Sequence, residues 1–504
     1  MQLYDKDLLS VQEVRALVEA AKQAQQLLAQ MNQHQVDHIV RAIAEAGVRN
    51  ARRLAVMAYE ETGFGVVDDK IIKNIFAGRG VYDQIKDLKT IGEISRDETK
   101  RLRTIAVPVG VIAGLIPSTN PTSTALYKAE IALKAGNAIV FSPHPSALRC
   151  ILETVKVIRQ AVSEAGGDEN LVSCITMPTM EATENLMRHR DIAMILATGG
   201  SAMVRAAYSS GTPAIGVGPG NGPAYLEKTC DLPLSVKRIL DSKTFDNGTI
   251  CASEQSVICT EEMAPAVQAE MERQGAYFLD AAEGVQLGSF ILRANGTMNP
   301  EIVGRGVAVI ARLAGLDRVP GGARVLVARE DGVGRGHPYS NEKLGPILAF
   351  YTAESGSAVC DKVCEILHYE GAGHTFSLHT EDPAVVDYFA LRVPASRVLV
   401  NTPGALGGIG GTTGLLPALT LGCGAVGGSA TSENVGPMNL LNLRYVAHGL
   451  RELEELRAAV PDCSDGICRT GQGSASPADV DEIVRSVIAR LRIPTGAAEC
   501  PVKP

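Results

Sequence analysis

The chain lacks a basic block. Its 48 Lys and Arg stand against 56 Asp and Glu, a net charge of −8 over 504 residues. No cluster is available to neutralise phosphates, which excludes a nucleic-acid partner. No charged-then-apolar leader precedes a cleavage site in the opening MQLYDKDLLS, so secretion is not expected. Framework spacing is also missing from the 11 cysteines, an odd number, and reduced thiols are expected. Metal-ligand spacing is absent as well. His337, His368, His374 and His379 show none with carboxylates or cysteines, and Cys360/Cys364 have no matching pair, so no metal is expected. Finally, no charged residue lies between Arg397 and Glu433. That stretch resembles a membrane span, but its ten glycines with Pro403 and Pro417 argue against a lipid-facing helix. It reads as buried loops and short strands lining a site.

What is present is enough apolar material, 45%, for two or three globular domains. The first hundred residues read mainly as helices. Apolar residues recur at helical spacing from Val11 to Ala29, with Ser10 as the expected N-cap. The charged SRDETKRLR (residues 95–103) separates two extended runs and suits a projecting hairpin. From Val107 the rhythm becomes strand, helix, strand: VPVGVIAGLIP, then TSTALYKAEIALKAG with a closing glycine, then AIVFS and a further helix. LVSCIT, DIAMILATGG and TPAIGVGPGNG continue the alternation. Strands without polar alternation, joined by helices, predict α/β architecture with a parallel sheet covered on both faces. Ligands of such sheets sit beyond the carboxyl ends of the strands, which gathers residues 117–120, 142–144 and 198–201 around one cleft. After Lys228 a second α/β domain is expected to about residue 400. Residues 461–476 are Gly/Ser-rich and read as a flexible linker. A helix follows at 477–494: Ser476 as cap, Pro477 at its first position, and a stripe of Val480, Ile483, Val484, Val487, Ile488 and Leu491.

The chemistry centres on SKTFDNGTICASEQSV (residues 242–257), where Cys251 has small neighbours that leave room for a substrate. A lone cysteine in an apolar stretch is more often structural. Its company changes that reading. IPSTNPTST (116–124), FSPHPSA (141–147), ATGGSAMV (197–204), GVGPGNGPAYLE (216–227), FDNGTICASEQ (245–255), NEKLGPIL (341–348), GAGHTFSLH (371–379) and GGIGGTTGLLPALTLGCGAVGG (407–428) occur in this order. Together they resemble the CoA-acylating branch of the aldehyde dehydrogenase superfamily over residues 10–455, nearest to the propionaldehyde and acetaldehyde dehydrogenases of bacterial microcompartments.

The resemblance implies two Rossmann-type domains. Residues 1–228 would bind NAD and carry an oligomerisation hairpin at about 90–107. Residues 229–420 would form the catalytic domain, and 421–460 a return segment with an oligomerisation strand. Cys251 matches the nucleophile, and Asn120 the amide that holds the oxyanion; read alone, Asn120 before Pro121 is a turn residue. Glu342 matches the ribose-binding glutamate, otherwise an ordinary solvated carboxylate. Thr198, Gly199, Gly200 and Ser201 match the turn beneath the cofactor diphosphate. The family's usual cofactor lysine is absent; Ser142-Pro143-His144 stands there, so Ser142 and His144 are taken as cofactor contacts and NADP is left open beside NAD. His374 matches a family histidine that contacts coenzyme A or packs near the site.

One departure is informative. Hydrolytic members carry a glutamate where this chain, aligned on Pro223, has Val217. Water needs a base to attack a thioester; a thiol needs one less, because thiol exchange is nearly thermoneutral. The expected reaction is therefore aldehyde, NAD+ and coenzyme A to acyl-CoA and NADH, with propionaldehyde first and acetaldehyde second. A hydrolytic dehydrogenase, an acyl-phosphate reductase and a non-catalytic shell adaptor are the rivals. The family also implies a homodimer or homotetramer. The segment PADVDEIVRSVIARLRI resembles encapsulation peptides, implying microcompartment shell or core-enzyme partners and a place in the bacterial cytoplasm, inside a microcompartment lumen.

Overall fold

The structure, a computed structural model, describes residues 5–293, 296–458, 482 and 485. In chain order its strands are β1 (Gly92–Asp97), β2 (Leu102–Pro108), β3 (Val111–Ile116), β4 (Ala138–Pro143), β5 (Val172–Cys174), β6 (Ile192–Thr198), β7 (Ala214–Val217) and β8 (Gly222–Leu226). There follow β9 (Glu254–Thr260), β10 (Ala276–Phe278), β11 (Val325–Arg329), β12 (Ile347–Ala353), β13 (Gly373–His379), β14 (Ala395–Val400) and β15 (Leu441–Ala447).

The first sheet runs β5-β4-β3-β6-β7, and its registered pairs are parallel, as the unbroken apolar runs predict. Every residue of β3 and of β4 is buried. The helix between them, Pro121–Lys134, is buried along its whole length because layers cover both its sides. Its Lys128 must then find partners indoors, and Nζ donates to the carbonyls of Leu115 at 2.7 Å and Leu196 at 2.8 Å. The expected glycine stop is Gly136, at φ 75°.

The second sheet runs β10-β11-β12-β9-β8-β13-β14, again with parallel pairs. The strand β8 belongs to it, although the boundary drawn at residue 228 put residues 222–226 in the first half. The chain leaves the first sheet after Val217, and β8 then pairs with β9 and β13. A turn lies between the two strands, so apolar content alone could not assign β8 to a sheet. Likewise Ala405, Ile409 and Ala418, counted with the catalytic half, pack into the apolar core of the first sheet together with Leu421, Val435 and Leu440 of the return segment.

The first helix begins earlier than expected. Asp5 caps Lys6–Leu28, its side chain accepting from the N–H groups of Asp7 and Leu8. Ser10 is buried inside the helix instead, bonded to the Asp7 carbonyl and to Thr179 Oγ1, both at 2.8 Å. An acidic residue at the true terminus outcompetes a serine one turn later.

The hairpin forms as β1 and β2, antiparallel, in a separate sheet of order β1-β2-β15. Residues up to Glu98 and Leu102–Val446 make one compact unit. Among the described residues, a small second unit holds Thr99–Arg101 and residues 447–458. Within it His448 N–H donates to the Arg101 carbonyl, Arg101 NH1 donates to the Gly449 carbonyl at 2.9 Å, and Leu453–Ala458 is helical. The linker at 461–476 and the helix at 477–494 lie outside the described residues, except that Glu482 and Arg485 are helical.

The charge-free stretch is not a spanning helix. It folds as the short helix Gly404–Gly408, buried loops and a bridge from Leu421 to Asn434. No helix among the described residues is long and apolar enough to cross a membrane. Asn434 stitches the stretch, its Nδ2 donating to the carbonyls of Gly408 at 3.0 Å and Leu416 at 2.7 Å. Two of its glycines differ sharply. Gly410 sits at φ 84° with the Leu415 carbonyl 2.5 Å from where a Cβ would stand, whereas nothing approaches Gly414. Gly410→Ala is expected to lower stability by about 3 kcal/mol or more, and Gly414→Ala by less than about 0.5 kcal/mol, read as shifts of the urea unfolding midpoint.

Candidate active site

Parallel strands share one direction, so each sheet presents all its carboxyl ends together and all its amino ends together. The candidate residues divide along this line. Asn120 and His144 follow β3 and β4 of the first sheet, and Thr198 ends β6. Gly220, Cys251 and Glu342 precede β8, β9 and β12 of the second, and His374 is the second residue of β13. The carboxyl-end rule that predicted the cleft thus holds for the first sheet, while the second contributes its amino ends.

Cys251 arrives by a left-handed turn: Asp246, Asn247 and Gly248 stand at φ 49°, 51° and 73°. Gly220 packs against it so closely that an added Cβ would run into the Cys251 carbonyl, and would lie 3.1 Å from His374 Cε1. Gly220 N–H donates to Glu342 Oε1 at 2.9 Å. Thus Cys251, Gly220, His374 and Glu342 converge, and only glycine fits at their centre.

The electrostatics hold this cluster neutral. Burial and then the Glu342 charge push the Cys251 thiol up to about 12, with Arg397 opposing. Burial and neighbouring Glu370 raise Glu342 to about 8. Glu370 Oε2 accepts the Glu342 N–H at 2.6 Å. His374, fully buried, is held down at about 3 by burial and by Arg397, so its imidazole is uncharged at neutral pH. Its Nδ1 pairs with Thr375 Oγ1 at 2.6 Å, and its Nε2 has no partner.

Asn120 caps the helix Pro121–Lys134 by position only, making no side-chain capping bond. Its Nδ2 donates instead to the Thr249 carbonyl at 3.1 Å, two residues before Cys251, and to Thr119 Oγ1 at 3.3 Å. Its Oδ1 accepts from Lys73 Nζ at 2.5 Å. Lys73 and Lys70 both donate to the buried Asp246 carboxylate, at 2.5 and 3.0 Å. Sequence reasoning missed all three of these charged residues, and also Gly220, Arg397 and Cys423. Asp246 lies inside the quoted FDNGTICASEQ, but nothing linear ties it to lysines more than 170 positions away.

The expected cofactor contacts fare unevenly. Ser142 is buried at the end of β4 and engaged with Thr183 Oγ1 at 2.9 Å, so its hydroxyl is committed within the fold. His144 is exposed, its Nδ1 accepting from Ser146 N–H. The turn after β6 is open: a Cβ on Gly200 would meet nothing, and one on Gly199 only Met203. Backbone N–H groups opening the helix Ser201–Tyr208 are therefore unobstructed, which fits a diphosphate. Val217 ends β7 as a buried aliphatic side chain. Among the described residues one group has metal-ligand geometry, Glu330, Asp331 and His337, with ligand atoms within 4.8 Å of one another. His337 Nδ1 lies at hydrogen-bond distance, 2.7 Å, from Glu330 Oε1, and this contact accounts for the arrangement.

The family described as the aldehyde dehydrogenase family matches residues 3–412. The bifunctional aldehyde-alcohol dehydrogenase of Escherichia coli (strain K12) is 45% identical over 87% of this chain and 50% of its own length. The chain thus spans about half the length of the curated relatives of that type. Succinate-semialdehyde dehydrogenase (acetylating) of Clostridium kluyveri is 35% identical over 87% of this chain and 96% of its own length. A crystal structure of a probable aldehyde dehydrogenase from Listeria monocytogenes EGD-e superposes with a TM-score of 0.89 at 62% identity, covering 90% of this chain and 100% of that one. The propionaldehyde dehydrogenase of the Clostridium phytofermentans fucose utilisation microcompartment stands further off, with a TM-score of 0.77 at 27% identity, covering 86% of this chain and 97% of that one. The Rhodopseudomonas palustris propionaldehyde dehydrogenase, solved with bound CoA and an acylated cysteine, has a TM-score of 0.78 at 28% identity, covering 86% and 97%. The expectation of a nearest kinship with microcompartment enzymes is corrected: identity is higher to proteins not described as such.

The charges fix a testable sign. With the Cys251 thiol held up at about 12, its alkylation by iodoacetamide is expected to keep climbing from pH 7 to 10, more shallowly around pH 8 where Glu342 ionises, without reaching a plateau. Glu342→Gln removes the charge that appears as pH rises through about 8, so alkylation at pH 9–10 should quicken several-fold. A rate that levels off near pH 8 in the unaltered protein would contradict this, and mass mapping of the labelled site checks it.

Proposed function

Since the chain belongs to the aldehyde dehydrogenase family, we propose that it is an NAD-linked, CoA-acylating member that converts a short aldehyde to its acyl-CoA through a thioester on Cys251. In this reading the Cys251 sulfur adds to the aldehyde carbon. Asn120 Nδ2 and the Cys251 backbone N–H receive the oxyanion. NAD+, held by Glu342 and the open turn Thr198–Ser201, supplies the hydride acceptor. Collapse of the tetrahedral adduct leaves an acyl thioester, the coenzyme A thiol attacks it, and the Cys251 thiolate departs. His374, uncharged with a partnerless Nε2, is assigned to accept a hydrogen bond from the incoming thiol, whose proton ends on the departing Cys251 thiolate.

The observation that carries acyl transfer is Val217. Where hydrolytic relatives would hold a base, the chain has a buried aliphatic side chain that cannot activate water. Hydrolysis is the second reading, and one feature favours it: the Glu342 charge bears directly on Cys251. Its oxygen is engaged by Gly220 N–H and its carboxyl is mostly protonated at neutral pH, so acyl transfer is preferred.

Propionaldehyde, then acetaldehyde, follow from the family resemblance; NADP stays open because neither Ser142 nor His144 decides it. A homodimer or homotetramer is supported by β15, an edge strand with Leu443 and Tyr445 exposed. Placement in a microcompartment lumen, through the helix at 477–494, is supported by that segment's resemblance to encapsulation peptides.

The deciding assay follows NADH formation from propionaldehyde and NAD+ with and without coenzyme A, in the unaltered protein and in Cys251→Ala. Sustained turnover is expected only with coenzyme A, and a loss of at least about a thousandfold in the variant. Equal turnover without coenzyme A would establish hydrolysis instead.

A further inference from the structure

A side-chain amide is nearly symmetrical in shape, and Asn120 could present either its oxygen or its NH2 group toward Cys251. Only the NH2 group can receive an oxyanion. Two neighbours remove the ambiguity. The Thr249 carbonyl accepts and cannot donate; it faces Nδ2 at 3.1 Å. Lys73 donates and cannot accept; its Nζ faces Oδ1 at 2.5 Å. A flipped amide would set NH2 against ammonium and oxygen against oxygen, losing both bonds.

We propose that Lys73 is a positioning residue of the oxyanion site, its ammonium locking the Asn120 amide so that Nδ2 stays turned toward the Thr249–Cys251 segment. This rests on the aldehyde dehydrogenase reading above. The ammonium is itself fixed. It donates to Asn120 Oδ1, to Asp246 Oδ2 at 2.5 Å and to Thr249 Oγ1 at 2.9 Å, which uses all three hydrogens. Lys73 is almost wholly buried on the helix Val67–Ile75. Asp246 has no freedom either: Val66 N–H donates to Oδ1 at 2.7 Å, Lys70 donates to Oδ2, and a Cβ on Gly65 would collide with Oδ1. Asn120 Nδ2 keeps one hydrogen in a weak 3.3 Å bond to Thr119 Oγ1, readily exchanged for a stronger acceptor. A cation on the amide oxygen also draws electron density from the nitrogen, strengthening its N–H groups as donors when charge develops on the substrate. Burial lowers Lys73 to about 8 against the pull of Asp246, so the ammonium form persists at neutral pH.

Lys70 supplies a matched control. It is as buried as Lys73 and shares Asp246, but its other bond goes to the Thr119 carbonyl at 3.2 Å rather than to Asn120. Either Lys→Met change leaves one lysine paired with Asp246. Steady-state kinetics with propionaldehyde, NAD+ and coenzyme A are compared in the unaltered protein, Lys73→Met, Lys70→Met, Asn120→Ala and Asn120→Ala/Lys73→Met, with thermal melts of each. Lys73→Met should lower kcat about ten- to a hundredfold with aldehyde KM held within about threefold, since the oxyanion exists only beyond the ground state. Lys70→Met should keep kcat within about threefold. In the Asn120→Ala background Lys73→Met should add nothing. Lys73→Gln, which can donate or accept and so enforces neither orientation, should lower kcat with KM held; it serves if the Met variant does not fold.

Equal losses in the two lysine variants, additive effects with Asn120→Ala, or an unchanged kcat in Lys73→Gln would overturn the assignment. Turnover by the unaltered protein reports on the parent reading and the variant ratios on this one; no turnover at all would overturn both.

Discussion

The Asp246 carboxylate is the contact on which the site is assembled. It is fully buried and would be untenable alone, because desolvating a charge costs far more than packing returns. Lys70 and Lys73 neutralise it, Val66 N–H and Thr249 Oγ1 complete its acceptor sites, and its own N–H donates to Asp69. These bonds join the helix Val67–Ile75, the loop ending β3 and the turn that delivers Cys251. Either lysine alone still pairs the charge, and together these bonds hold the three segments in a single relative geometry. The left-handed backbone at Asp246 and Asn247 is tolerated because this network over-determines it.

Around the sulfur the fold does the opposite and gathers groups that stay uncharged. Cys251, Glu342 and His374 are each shifted toward their neutral forms by burial. With the thiol held up at about 12, little of it is thiolate at neutral pH. Bringing the thiolate into use requires a change in its surroundings, and two groups can respond: Glu342, whose carboxylate is held by Gly220 N–H, and Arg397, whose guanidinium faces both Cys251 and Cys423. Arg397 also bonds the Gly373 and Gly422 carbonyls, fastening the charge-free stretch beside His374. Two glycines of that stretch have a physical reason here, since a Cβ on Gly422 or Gly427 would strike neighbouring backbone.

Much of this was legible beforehand. Unalternating apolar strands joined by helices fixed two parallel sheets, and eight ordered motifs brought Cys251, Asn120, Glu342 and His374 into one hypothesis. Those four are gathered at facing strand ends, with Gly220 between three of them. Local chemistry misled where a better competitor stood nearby, as at Ser10, displaced by Asp5. It also misled where a residue type was right but its side chain was already engaged, as at Ser142. The sheet membership of β8 could not be read, because a buried strand looks the same whichever sheet receives it.

The division has a physical basis. Sequence by itself determined what depends on composition, periodicity and short motifs: the α/β class, the cysteine proposed as nucleophile, and the aliphatic Val217 aligned where hydrolytic relatives hold a base. Each is a property of residues close together in the chain. Only the tertiary structure decided what depends on convergence: that Lys70 and Lys73 meet Asp246, that Lys73 faces Asn120, and that Gly220 leaves room for the Cys251 carbonyl. A buried charge is stable only beside its partner, and partners brought together by folding leave no spacing in the chain by which to recognise them.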